Sequence, residues 1–290
     1  MALPYEIFIG LRYLRAKRRN RTISFNTIVS IAGITLGVAA LIGTVGIMTG
    51  LKEDVQAKIL GTTAHILVND RMKESMVDYE EQVKKVAAVP DVVAATPFIF
   101  RQVLLTSPSG VQGIILRGSD PAREGTVTEL AHNLVNSNLD DLARQNKVVI
   151  PEKEREPNGP DTAMRPGIIL GKELSMRLGA FPGDTLNVVS PVGPVTGASM
   201  TPKIRQFVVV GIFQSGMYEY DSSLAYIELG EAQKFFNMGA SVTGIEVKVT
   251  DVFRAADIAR AIEHHLGFAF WARDWMQMNR NLFSALKLEK

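Results

Sequence analysis

The chain has 290 residues, 46% of them apolar, a formal charge of +2 and no cysteine. That length can bury a core of its own, and without cysteine neither a disulfide framework nor a thiolate metal site holds it. The charge is uneven: residues 1–21 carry six basic side chains against Glu6, net +5, while the other 26 basic and 29 acidic residues sum to −3. The basic excess therefore belongs to the N-terminal stub and gives no argument for nucleic-acid binding by the remainder.

Residues 4–16 place Ile7, Phe8, Leu11 and Leu14 on one side, which reads as a short helix lying on the inner membrane surface or else as a disordered basic tail. Thr22–Leu51 follows without a formal charge. A bilayer core about 30 Å thick needs roughly 20 apolar residues of helix, and Ile28–Met48 alone supplies them. The run is too long for the apolar part of a signal peptide, about 7–15 residues. It also leaves no solvent face for a helix of a soluble domain. Arg12, Arg15, Lys17, Arg18, Arg19 and Arg21 precede it, so the N-terminus is expected in the cytoplasm and everything beyond Leu51 outside. Gly33, Gly37, Ala40 and Thr44 fall on one helical face, and Ala39, Gly43, Gly46 and Gly50 on another. Small faces suit contact with other transmembrane helices, though glycine is also simply common in such helices.

Beyond the span, short strand-like runs alternate with helical ones. Leu51–Leu60 reads as a polar helical stalk with Gly61 as its C-cap. A strand at His65–Val68, a helix at Tyr79–Ala88 stopped by Pro90, and a strand at Val92–Phe100 make a first β-α-β unit. Ser107-Pro108-Ser109-Gly110 marks a hairpin turn between Arg101–Thr106 and Val111–Arg117. Residues 119–166, with five prolines, read as loop or insertion. A helix is expected at Gly171–Gly179, strands at Thr185–Val189, Arg205–Phe213 and Tyr218–Leu229, and a helix at Glu231–Met238. The second β-α-β unit is Gly244–Thr250, Val252–Leu266 and Phe268–Ala272. In Asp274–Lys290, Trp275, Met278, Leu282 and Leu286 share a stripe; with Trp271 it reads either as a return to the membrane interface or as core packing.

No catalytic constellation is found. GIILGKELS at Gly167–Ser175 lacks the spacing of a phosphate-binding loop. His264 and His265 point about 100° apart on a helix, and with His65 and His132 they form no metal-ligand pattern. Asp140-Asp141 lack partners for paired-carboxylate hydrolysis, and Ser199 and Ser215 lie in no nucleophile elbow. The one unusual segment is Ser190–Pro202, a charge-free loop carrying Pro191, Val192, Pro194, Val195, Met200 and Pro202. Prolines lower the ordering cost of docking and exposed apolar residues suit a contact surface. It reads either as a hairpin that inserts into a partner or as a loop packed on its own domain.

Gly10–Gly61, with its RAKRR block, GITLGV core and MTGL…ILG exit, resembles the opening of lipoprotein-releasing ABC transporter permeases of the LolC/LolE type. The likeness continues at Ile168–Asp184, Val208–Phe213, Asn237–Phe253 and the FSALKLEK ending. The resemblance implies an inner-membrane permease subunit that extracts lipoproteins and hands them to a LolA-like periplasmic carrier. Its implied partners are a second permease subunit, membrane lipids and a LolD-like cytoplasmic ATPase. That ATPase would bind ATP, so no cofactor, metal or catalytic residue is expected here. In LolC-type members a hook and a basic pad hold the carrier; the hook falls on Pro191–Pro202 and a pad arginine on Arg205, while Asn237–Phe253 is closer to the LolE type. The family has four transmembrane helices, and this chain is expected to stop before the second.

The expected fold is thus α+β: one N-terminal transmembrane helix, then a periplasmic MacB-like domain with two β-α-β units and an inserted β-rich subdomain. The division is 1–21 cytoplasmic, 22–51 span, 52–118 core, 119–204 insertion with the loop 190–202, 205–272 core and 273–290 amphipathic tail. A MacB-type permease of another export system and a membrane-anchored enzyme are the alternatives.

Overall fold

The structure, a computed structural model, describes residues 5–15, 21–149, 162–191, 195–196, 199–200 and 202–280. The chain divides into two units, 1–55 and 56–290. In the first, α1 (Tyr5–Arg15) is helical, as the spacing of its apolar residues predicts. It is followed by α2 (Arg21–Thr62), which runs well past the apolar segment. Between Phe25 and Gly50 it is long and apolar enough to cross a membrane, and none of it is buried in protein. Two of its hydroxyls bond within the helix: Ser30 Oγ donates to Asn26 O at 2.8 Å and Thr44 Oγ1 to Ala40 O at 2.9 Å. That self-satisfaction suits a helix surrounded by hydrocarbon.

In the second unit the stalk does not stop at Gly61. Thr62 Oγ1 donates to Lys58 O and Thr63 Oγ1 to Ile59 O, both at 2.9 Å, so side chains rather than a glycine turn satisfy the last carbonyls. Ile59 is fully buried there. The elements that follow are β1 (Ile66–Asp70), α3 (Tyr79–Ala87), β2 (Val92–Ser107), β3 (Gly110–Ser119), α4 (Pro121–Val127), α5 (Leu130–Asn133), β4 (Leu134–Val135), β5 (Gln145–Val149), β6 (Thr162–Gly171) and α6 (Lys172–Leu178). Then come β7 (Thr185–Ser190), β8 (Val195–Thr196), β9 (Ser199–Met200), β10 (Lys203–Phe213), α7 (Tyr218–Ser223), β11 (Leu224–Glu228), α8 (Leu229–Phe236), β12 (Gly244–Val249), α9 (Ala255–Leu266), β13 (Phe270–Asp274) and α10 (Trp275–Met278).

Both expected β-α-β units are present, and they interlock. β1 lies between β12 and β13, antiparallel to each, and β12 lies antiparallel between β1 and β2. The order β13-β1-β12-β2 with α3 and α9 as crossovers is a ferredoxin-like split β-α-β arrangement. Val83 and Val86 of α3 and Ile258, Ala259 and Ile262 of α9 bury against Ile66, Val68, Ile245 and Val247. Burial of one such side chain stabilises by about 1.5–3 kcal/mol, so this layer supplies its own core.

The sheet continues from β2 through β3, β11, β6 and β10, and β7 then pairs with both β10 and β2. Those six strands close a ring, a small barrel inserted between β2 and β12. Closure leaves these strands without an open edge. The interior holds Leu105, Leu116, Ile168, Leu170, Val188, Phe207 and Ile227. The expected boundary between 204 and 205 falls inside β10, one of the barrel strands.

Two expectations need correction, and one open pair of readings is decided. Tyr218–Leu229 is not all strand: α7 occupies its first half because Asp221, buried, accepts from Ser215 N and Ser215 Oγ at 2.8 and 2.7 Å and folds the segment back. Residues 119–166 are more regular than a loop and hold α4, α5, β4 and β5. Trp275 is core, not interface: it is 1% exposed, and its Nε1 donates to Val252 O at 2.8 Å. Trp271 is half-exposed beneath the Arg273 guanidinium. The remainder of the expected stripe, Leu282 and Leu286, lies outside the described residues.

Candidate functional site

β7 and β10 form a ladder from Thr185↔Val208 to Ser190↔Lys203. The chain leaves β7 at Pro191, an exposed bend, and returns through exposed Pro202. Between them β8 and β9 pair antiparallel, Val195↔Met200 and Thr196↔Ser199, as a two-stranded sheet separate from the main one. The segment is therefore a hairpin carried on the barrel, with Val195 and Met200 cross-strand partners. Val192 and Pro194 lie outside the described residues.

Arg205 stands on β10 opposite Val188. It is one-third exposed and ion-paired to Glu231 of α8, a carboxylate that also takes Lys234 Nζ at 3.0 Å. Its guanidinium lies 5.7 Å from the Phe207 ring centroid. Lys203, two residues earlier on the same face, donates to Lys234 O at 3.0 Å and Asn237 Oδ1 at 2.8 Å. Arg205 and Lys234 thus share one buried acid, and Lys203 adds a third cation beside the root of the hairpin. The excess positive charge and the partial exposure make this a surface suited to an acidic partner.

The small residues of α2 face open space in this chain. A Cβ built on Gly33, Gly37, Gly43, Gly46 or Gly50 meets no atom within 4 Å, and Ala40 is likewise exposed.

One constellation escaped the sequence reading. Arg117 of β3 and Glu246 of β12 are buried and ion-paired, 6% and 3% exposed. The guanidinium lies 5.4 Å from the Tyr226 ring centroid. Glu124 of α4 is buried nearby and accepts from Thr128 Oγ1 at 2.9 Å. Arg117 is held protonated because two acids outweigh its burial; Glu246 is pushed up to about 7 by burial and by Glu124, against the pull of Arg117. Burial disfavours the charge on each of the two, and their mutual attraction opposes it. The signal was one arginine and one glutamate inside largely apolar strands, VQGIILRGS and GIEVKV. No group of three or more acids, histidines or cysteines among the described residues could hold a metal. The cluster reads as a structural network.

An apolar helix followed by a ferredoxin-like layer with an inserted barrel defines a class, helix-bearing α+β domains. A family model described as the MacB-like periplasmic core domain matches residues 27–265. The lipoprotein-releasing system transmembrane protein LolC of Neisseria meningitidis is 34% identical over 98% of this chain and 64% of its own length. LolC of Xylella fastidiosa (strain 9a5c) is 35% identical over 99% of this chain and 64% of its own. The periplasmic region of MacB from Actinobacillus actinomycetemcomitans aligns with a TM-score of 0.45 at 13% identity, over 78% of this chain and 94% of that one. The chain belongs to the LolC/LolE family, with a MacB-like periplasmic core domain. It spans 64% of the length of these LolC relatives.

Proposed function

We propose that this chain is the membrane subunit of an ABC transporter that extracts lipoproteins from the bacterial inner membrane and hands them to a LolA-like periplasmic carrier. The observation that supports this reading is the likeness to LolC proteins across nearly the whole chain. A LolD-like ATPase in the cytoplasm supplies ATP hydrolysis, and a second permease subunit packs on the glycine faces of α2. The domain is periplasmic, with residues 1–21 inside the cell, because basic flanks stay on the cytoplasmic side of a span.

The hairpin Pro191–Pro202 is the carrier hook and Arg205 its pad. Rigid prolines at the root reduce the ordering cost of docking, and the cationic surface steers an acidic partner toward the tip. A photo-reactive residue at Val195 or Met200, in the full transporter, should crosslink the carrier when lipoprotein and ATP are present. Adducts only with another periplasmic protein would defeat the carrier assignment and favour a MacB-type export system.

A further inference from the structure

The outer strand of the main sheet is closed by side chains. Among the described residues β13 has a sheet neighbour on one side only, β1. The bonds Arg71 N–H to Ala269 O, 2.8 Å, and Trp275 N–H to His65 O, 2.9 Å, fix the phase of that ladder. Odd-numbered residues face β1, so Phe270, Ala272 and Asp274 turn their backbone groups outward. Such a row is a template for a strand of another chain.

Three of these outward groups are already taken. Glu263 Oε1, from α9, accepts the Ala272 N–H at 2.9 Å. Arg71 Nε, just beyond β1, donates to the Phe270 carbonyl at 2.9 Å. The Phe270 N–H turns back to Gly267 O at 3.2 Å. Arg71 Nη2 and Glu263 Oε1 then close on each other at 3.3 Å, and the guanidinium lies 5.2 Å from the Phe268 ring centroid. The surroundings would favour association if the edge were bare, since Met72 is 82% and Phe268 86% exposed, with Trp271 half-exposed.

We propose that Arg71 and Glu263 act as an edge guard, whose role is to keep β13 from pairing with a strand of a second chain. An incoming strand would have to displace both side chains from their backbone partners and desolvate their charges before gaining a bond of its own. Neither residue is needed for the core: both are about a third exposed.

The test uses the full chain in one detergent, with light scattering after size-exclusion chromatography over a concentration series and amide exchange at Ala272. Arg71→Ala/Glu263→Ala should associate with rising concentration where wild type does not. Its Ala272 amide should exchange at least about tenfold faster at the lowest concentration, the loss of one modest hydrogen bond. Glu263→Gln, which keeps an acceptor oxygen, should behave as wild type. Adding Trp271→Lys to the double variant should restore the wild-type size, because an edge lysine opposes strand addition. If the double variant melts early, Arg71→Ala alone, on the exposed partner, must show the same association. Unchanged size at every concentration, or association that Trp271→Lys does not reverse, overturns the proposal.

Discussion

Replacing Arg117 by Met removes the cation that, among the described residues, faces two buried acids. The side chain of Glu246 is 3% exposed and Glu124 is fully buried, so neither recovers hydration when the guanidinium goes. Breaking one partner of a buried ion pair costs about 3–5 kcal/mol. For a domain of this size each kcal/mol moves Tm by about 2–4 °C, so above pH 7, where Glu246 is ionised beside Arg117, Arg117→Met should lower Tm by roughly 6–20 °C. The triple variant Arg117→Met, Glu124→Gln, Glu246→Gln removes every charge and should recover at least half of that loss. Fluorescence of Trp275, which is buried in the core, reports the transition. A Tm for Arg117→Met within a degree or two of wild type would refute the reasoning. So would a triple variant no better than the single, since the penalty would then not be uncompensated charge.

Glu246, raised from an ordinary value of 4.5 to about 7, holds a proton in the folded state that the unfolded chain releases. Its contribution is complete below about pH 4.5 and is lost as pH rises toward 7, up to about 3 kcal/mol in all. Denaturant titrations across that window should show the slope in wild type and its loss in Glu246→Gln. Gly171 sits against the Asp221 backbone so closely that an added Cβ would overlap it; Gly171→Ala should cost about 1–3 kcal/mol or more, read by thermal melting. Gly33→Leu/Gly37→Leu meets open space in this chain and should leave Tm unchanged. Co-purification of the second permease subunit should nevertheless fall, because close backbone approach would be blocked.

Much of the fold was legible because local chemistry determined it. The thirty uncharged residues Thr22–Leu51 admit one form in a bilayer, Pro90 stops α3, and Ser107-Pro108-Ser109-Gly110 makes the β2–β3 turn. What escaped was non-local. Nothing in Thr185–Ser190 shows that it pairs with Leu104–Thr106 and closes a ring, since that contact joins segments about eighty residues apart. The alternating YEYD of α7 reads as strand until buried Asp221 is seen holding Ser215. Trp275 fits a membrane interface or a core equally well by pattern, and its hydrogen bond to Val252 decides for the core. At the candidate site the hairpin was legible from its prolines, whereas the commitment of Arg205 to Glu231 depends on α8 packing beside β10.

The proposed function requires α2 to cross the membrane with the barrel-bearing domain outside. The chain has no cysteine, so a single introduced one is a unique label. Met72→Cys and Phe268→Cys, both highly exposed, should react with a membrane-impermeant maleimide in intact spheroplasts, and Arg12→Cys only after lysis. Labelling of Arg12→Cys in sealed cells, with Met72→Cys and Phe268→Cys protected, would contradict it.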